Sequence, residues 1–194
     1  TIVAYRSITG LQCVTPTKEE VLAAFFGLGS ELQEQFKLNS GQAPNLRLTD
    51  RAIIWHFLRL ASVAAAEANV PLQVHTGFGD ADLQLHFSDP SLLTPFVRWA
   101  AALKPNSLKI VLLHCSYPFA RSAGYMCSVY ENVYSDIGLA VPLLSTPGMR
   151  ESVSALLELS PMKKITFSSD CHTSPETFVL ASQLARKVLF HALD

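Results

Sequence analysis

The chain has 194 residues, and its 15 lysines and arginines nearly balance its 16 aspartates and glutamates, for a formal net charge of −1. With no basic run either, the sequence gives no electrostatic reason to expect binding to nucleic acid or to an anionic membrane. Only 16% of the residues are charged, against roughly 25% in typical soluble domains. We therefore expect one domain, residues 1–194, in which most elements are covered on at least one face.

The N-terminus and the cysteines bear on location. The segment 1–6 has neither the basic start nor the cleavage pattern of a signal peptide. It resembles a strand with no segment before it, so we expect the chain to be a fragment of a longer protein.

Four cysteines, Cys13, Cys115, Cys127 and Cys171, share no CxxC spacing, which is typical of free thiols in a reducing compartment. A cytoplasmic location is the resulting prediction.

Hydrophobic periodicity predicts a strand, two helices and then four strand–helix units in series. The first strand covers residues 2–5. A helix over 17–36 follows, opened by a capping box of Thr17 and Glu20, and after a polar loop a second helix covers 50–68. The predicted units, each a strand and then a helix, are 71–75 with 90–103, 109–114 with 119–130, 133–139 with 147–159, and 164–168 with 175–193.

Strands alternating with helices of about 10–15 residues predict a parallel sheet, in either a doubly wound fold or a (β/α)8 barrel. Five strands would suit a doubly wound sheet by number. No GxGxxG or GxxxxGK phosphate-binding loop follows any strand, however. The polar residues at the strand ends separate the two folds better than the strand count does.

Three predicted strands end on residues that bind metals or transfer protons: His75, His114 and Asp170. In a parallel α/β protein the carboxyl ends of all strands lie on one side, which is where barrel enzymes hold their active sites. A single histidine at such a position is usually structural. Two imidazoles and one carboxylate together fit a divalent ion such as Zn²⁺ that keeps one position open for water.

Four segments carry a family resemblance: His75-Thr76-Gly77-Phe78-Gly79-Asp80, Leu113-His114-Cys115-Ser116-Tyr117-Pro118-Phe119, Tyr134-Ser135-Asp136-Ile137-Gly138-Leu139 and Phe167-Ser168-Ser169-Asp170. They resemble the amidohydrolase-related (amidohydrolase-2) family. The resemblance is strongest to the domain fused ahead of a glutamine-synthetase-like domain in fungal FluG-type and plant nodulin-type proteins. It implies strands four to eight of a (β/α)8 TIM barrel, with an extra helix pair after the first of them.

The resemblance also implies roles for the site residues. His75 would be the metal ligand of the fifth strand, and His114, on the sixth, a ligand or a catalytic base and carbonyl polariser. Asp170 would bind the metal and move the proton of the attacking water. Arg6 takes the fourth-strand position where some relatives have a carboxylated lysine, so one metal rather than two is implied. Arg6 would hold a substrate carboxylate, or it forms a structural ion pair.

One feature of the family pattern is missing. The first strand of the family ends in a His-x-His pair, and no two of the six histidines here are separated by one residue. Of the remaining histidines, His56 and His191 lie on predicted helices, His86 is a weak candidate for a lid, and His172 could reach the rim. Asp136 is either a partner of a ligand histidine or a structural carboxylate. For Cys115 and Cys171, core packing is favoured over metal ligation.

Three hypotheses for function follow. In the first, the full-length protein is a metal-dependent hydrolase that acts on a C–N or C–C bond of a small carboxylated substrate, and this fragment alone is inactive. In the second, it is a catalytically silent barrel domain with a role in assembly or regulation. In the third, it is a doubly wound binding module, which a stable and monomeric isolated chain would favour. For a barrel, a missing N-terminal half or a partner chain would cover the open sheet edges, and a homo-oligomer is compatible with the first two hypotheses. A His-x-His about 120–170 residues upstream, three strand–helix units away, would support the enzyme.

Overall fold

The computed structural model of the chain describes residues 14–40, 42, 50–79, 81, 83–104, 107–138, 143–171 and 174–193. The predicted first strand, with Arg6, lies outside the described residues, as do Cys13 and His172. Within the described residues, all six predicted helices and four of the predicted strands are present.

Two helices precede the sheet. Helix α1, Lys18–Leu38, begins at the predicted capping box: the Thr17 hydroxyl accepts the Glu20 N–H at 3.1 Å, and the Glu20 carboxylate accepts the Thr17 N–H at 2.7 Å. Helix α2, Arg51–Glu67, is capped by Asp50, which accepts the Ile53 N–H. Helix α1 contacts α2 but buries none of its residues, whereas α2 contributes several apolar side chains to the core.

Four parallel strands form one sheet in the order β1-β2-β3-β4. They are β1 Leu72–Val74, β2 Ile110–Leu112, β3 Val133–Asp136 and β4 Ile165–Thr166. Strand β2 is buried along its whole length, as its continuous apolar sequence predicted. All four strands are shorter than predicted, because the pairing of each strand with its neighbours covers only two to four residues.

The remaining helices connect and follow the strands. They are α3 Thr94–Ala101, α4 Ala120–Val129, α5 Thr146–Leu157 and α6 Pro175–Leu193. The prediction of one continuous helix over 90–103 was wrong, since residues Pro90–Leu93 form a separate 3-10 turn. Pro95 has no N–H to donate to the Ser91 carbonyl four residues earlier, and the Thr94 hydroxyl donates to that carbonyl instead, at 2.7 Å.

The core lies between the sheet and the helices that cover it. Phe96, Ile110, Leu112 and Leu156 are fully buried there. Trp55 of α2 packs edge-on against Trp99 of α3, with 4.9 Å between ring centroids. Trp55 is buried and Trp99 is half-buried.

The order of the strands helps to distinguish a doubly wound fold from a (β/α)8 barrel. A doubly wound sheet reverses its direction at a switch point, and the four described strands add in chain order with no reversal. Among the described residues, β1 and β4 each pair on one side only. The architecture is therefore α/β with a parallel sheet, consistent with part of a barrel. No described helix has the length and apolar character needed to cross a membrane.

Candidate metal centre

Two predicted site residues, His75 and His114, lie side by side at the carboxyl ends of β1 and β2. The register pairs Val74 with Leu112, so His75 comes directly after the last paired residue of β1, and His114 comes two residues after that of β2. Their ring centroids are 4.4 Å apart at an interplanar angle of 67°. His114 is buried and His75 is half-buried. The convergence of these two histidines was predicted from their strand-end positions.

Each ring has one nitrogen within reach of a backbone carbonyl. Nε2 of His75 is 2.7 Å from the Phe78 oxygen, and Nδ1 of His114 is 3.4 Å from the Gly138 oxygen. A carbonyl can only accept, so these nitrogens carry the protons in the two hydrogen bonds. In the neutral ring of His114, the other nitrogen, Nε2, is then unprotonated. Metal-binding histidines commonly have this arrangement.

The backbone that carries His114 is strained. His114, Cys115 and Ser116 have φ values of 67°, 53° and 51°, and the left-handed region costs a non-glycine residue roughly 1–2 kcal/mol. Hydrogen bonds hold this turn against the loop after β1: the Thr76 hydroxyl donates to the Leu113 carbonyl and lies 2.7 Å from the Ser116 hydroxyl oxygen. Strain of this kind is typical of functional sites, and here it orients the His114 side chain.

Gly77 allows the loops after β1 and β2 to approach each other. Its φ is 78°, and a Cβ at this position would overlap the Tyr117 carbonyl oxygen. The same oxygen accepts the N–H of Phe78 at 2.7 Å. A side chain at residue 77 would therefore separate the segments that carry the two histidines.

The charge state of His114 follows from its surroundings. Burial, and then the neighbouring His75, lower the pKa of His114 from 6.5 to about 4, against smaller opposing effects of Asp170 and the Gly138 carbonyl. The imidazole is therefore neutral at pH 7. A neutral imidazole has the lone pair that a metal ligand or a general base requires.

Asp170, the third predicted residue, follows β4 by four residues and has a φ of 52°. Its side chain is exposed, yet it lies close enough to His114 to influence its pKa. Within the part of the chain that the structure describes, no group of three or more His, Cys, Asp or Glu side chains is arranged to hold a metal ion. The structure thus brings together two of the three predicted ligands and leaves the third near them.

Sequence reasoning missed two residues near His114, and it left the role of a third open. Asp136 is 2% exposed, and its carboxylate accepts hydrogen bonds from the Gly138 N–H and the Ser168 hydroxyl. Burial raises the pKa of Asp136. The strand-end position drew attention to Asp136, but no sequence signal connects Ser168 or Gly138 to a histidine more than 20 residues away.

A profile of the amidohydrolase family matches residues 19–193 of the chain. The chain belongs to the amidohydrolase family. It is 33% identical over 188 residues to the protein fluG of Emericella nidulans, an alignment that covers 97% of this chain and 21% of fluG. A crystal structure of a protein from Lactobacillus casei, assigned as a metal-dependent hydrolase, matches with a TM-score of 0.74 and 34% identity. That match covers 97% of this chain and 45% of the other, so the chain spans less than half the length of either relative.

Family membership and the hydrolase-like neighbour support a metal cofactor, and the donor set agrees in part. Two imidazoles, each with one nitrogen near a backbone carbonyl, suit a divalent ion of the first transition row, including zinc. Asp170 would supply a carboxylate oxygen. Two histidines and one carboxylate match the ligand number of a catalytic zinc site that keeps one position open for water.

Among the described residues, no other histidine or cysteine forms a metal-binding group with His75 and His114. His56 and His191 lie on helices α2 and α6, as predicted, and His86 is exposed in the 3-10 turn Leu85–Ser88. Cys115 is buried, and burial raises the pKa of its thiol to about 12. Cys115 belongs to the buried hydrophobic cluster, which agrees with the predicted core packing.

Proposed function

We propose that this chain carries part of the active site of a metal-dependent hydrolase of the amidohydrolase type, which acts on a C–N or C–C bond of a small carboxylated substrate. The observation that carries the proposal is the pair of adjacent imidazoles, His75 and His114, at the ends of neighbouring parallel strands, with His114 neutral at pH 7. Both rings lie at the edge of the sheet where barrel enzymes bind substrates, which supports a role in the active site.

The side chains have distinct roles in this proposal. A divalent ion, proposed to be zinc, would supply Lewis acidity that makes water acidic enough to lose a proton near neutral pH. His75 would hold the ion, and His114 would either bind it or polarise a substrate carbonyl through Nε2. Asp170, whose side chain is exposed, would take the proton from water and return it to the leaving group. Arg6, outside the described residues, is proposed to bind the substrate carboxylate.

We further propose that the described sheet is the later part of a (β/α)8 barrel, with β1 to β4 as its fifth to eighth strands. The strand order without reversal and the single-sided pairing of β1 and β4 support this assignment. The remaining strands, with a His-x-His pair, would come from an upstream segment. A cytoplasmic location and a fusion to a glutamine-synthetase-like domain stay predictions.

Metal content tests the proposal directly. The full-length protein should contain one equivalent of a divalent metal by elemental analysis, and His75→Ala and Asp170→Ala should each lose most of it. His191→Ala is the matched control, because His191 is an exposed histidine on α6, away from the strand ends.

Two results would contradict the assignment. Stoichiometric metal that persists unchanged in both site variants would place the centre elsewhere. A full-length protein without metal, after purification with added zinc, would instead favour a catalytically silent barrel domain.

A further inference from the structure

A hydrogen-bonded clasp joins the segments after β3 and β4. Oδ2 of Asp136 accepts the Gly138 N–H at 2.9 Å and the Ser168 hydroxyl at 2.9 Å. Asp136 is 2% exposed and Ser168 is half-buried, so water competes little for these bonds. The clasp connects two neighbouring segments beside the candidate metal centre.

The clasp restrains the backbone at Gly138. A Cβ at this residue would overlap Ser168 Oγ and would lie 2.5 Å from the Ser168 carbonyl oxygen and 2.8 Å from Asp136 Oδ2. Ser168 and Asp136 therefore both lie close to the Gly138 Cα, and Asp136 also binds the Gly138 N–H. The carbonyl of the same residue is the group that Nδ1 of His114 approaches, at 3.4 Å.

We infer that Asp136 and Ser168 are positioning residues, which act through the Gly138 carbonyl to hold His114 in the tautomer protonated at Nδ1. Nε2 of His114 is then the unprotonated nitrogen. Only the use made of Nε2, as a ligand or as a base, rests on the proposed function. The tautomer is a property of the chain itself.

The length of the His114 contact explains why a clasp is needed. At 3.4 Å the bond is longer than the usual 2.7–3.2 Å, so a small outward movement of the carbonyl would break it. Imidazole in water favours the proton on Nε2. Without a fixed carbonyl near Nδ1, the proton would therefore move from Nδ1 to Nε2. The lone pair would then lie on Nδ1 and no longer on Nε2.

Nitrogen-15 NMR of the full-length protein, labelled at histidine and freed of metal by chelation, tests this inference at neutral pH. Long-range proton–nitrogen correlations identify the protonated ring nitrogen, and His114→Gln assigns the signals. We expect Ser168→Ala and Asp136→Ala each to lower the ratio of the Nδ1–H to the Nε2–H tautomer by roughly five-fold, the effect of losing about one neutral hydrogen bond. Asp136→Asn keeps an acceptor oxygen and should restore most of the ratio.

Asn132→Ala is the matched control. Asn132 lies just before β3, at the opposite end of the strand, and its buried amide donates to the Val97 and Leu108 carbonyls. If Asn132→Ala lowered the tautomer ratio of His114 by the same factor, the effect of the clasp variants would be a general structural one, and the inference would be overturned. An unchanged tautomer in Ser168→Ala would overturn it as well, and this variant tests the inference even if Asp136→Ala does not fold. The NMR result does not depend on metal content, so it separates this inference from the proposed hydrolase function.

Discussion

His114 should make the stability of the metal-free protein depend on pH. The pKa of the folded-state imidazole is about 4, lowered from 6.5 chiefly by burial, so between these values the unfolded chain binds more protons than the folded one. Stability should then be full above pH 6.5 and fall as pH drops towards 4. At 1.36 kcal/mol per pKa unit the loss amounts to about 3 kcal/mol.

Urea unfolding of the metal-free protein at a series of pH values measures this effect. His114→Gln should flatten the profile between pH 6.5 and 4, whereas His191→Gln, at an exposed helical position, should leave it unchanged. A profile for His114→Gln as steep as that of the parent would show that other groups cause the acid sensitivity.

Gly77 is the residue at which a single methyl group should be most damaging to the site. Gly77→Ala requires a φ of 78° and an overlap with the Tyr117 carbonyl oxygen. We expect a loss of about 2 kcal/mol or more in the free energy of unfolding, together with weaker zinc binding, because the segments carrying His75 and His114 would separate.

The matched control for Gly77→Ala is Gly29→Ala. Gly29 lies within helix α1, and a Cβ added there would meet no atom within 4 Å. The same substitution there should stabilise the protein by roughly 0.5–1 kcal/mol. Equal effects of the two substitutions in chemical denaturation would contradict the role given to Gly77.

At the scale of whole elements, Lys164 ties the end of helix α4 to the start of β4. Its ammonium group donates to the carbonyls of Cys127 and Tyr130, both at 2.7 Å, in the last turn of α4 and just beyond it. Lys164 is 7% exposed. Since hydrogen bonds from a charged donor contribute about 1.5–3 kcal/mol, Lys164→Met should cost about 3 kcal/mol by leaving two carbonyls without this donor.

Thermal or urea unfolding checks this prediction, with Lys163→Met as the control. Lys163 is the preceding residue and is exposed, so its loss should change stability by less than about 0.5 kcal/mol. If Lys164→Met is as stable as Lys163→Met, the two carbonyls are satisfied in another way.

The elements themselves were largely predictable, because their signals are local. Capping at Thr17 and the apolar run of β2 depend on residues close in sequence, and both are confirmed. The left-handed turn at His114–Ser116 was not predictable, since none of its residues is a glycine and the hydrogen bonds that hold it come from Thr76, 40 residues away from Ser116. The clasp between Asp136 and Ser168 spans 32 residues and leaves no sequence pattern for the same reason.

The placement of the site residues was predictable only where strand topology determines it. Topology alone places the ends of adjacent parallel strands together, so His75 and His114 were expected to meet, and they do. Asp170 belongs to a segment beyond the last paired residue of β4, where strand geometry no longer fixes side-chain direction. Its role as a metal ligand therefore stays a prediction.

On the scale of the whole molecule, the proposed barrel leaves apolar surface for other elements to cover. Large apolar side chains are exposed on both terminal helices: on α1 Phe25 and Phe26 at 58% and 68%, and on α6 Val179 and Phe190 at 58% and 64%. Among the described residues, β1 and β4 also have one unpaired edge each. Exposed apolar patches and open strand edges promote association.

We therefore expect residues 1–194, expressed alone, to self-associate and to bind a hydrophobic dye such as ANS, whereas the full-length protein should do neither. Light scattering after size-exclusion chromatography and dye fluorescence at matched concentrations measure the two properties. Phe25→Ser with Phe26→Ser should reduce dye binding by the isolated chain, since both side chains are exposed on α1. A monodisperse, cooperatively unfolding isolated chain that binds no dye would instead favour a self-contained sheet, because a barrel lacking its first strands cannot close its own edges.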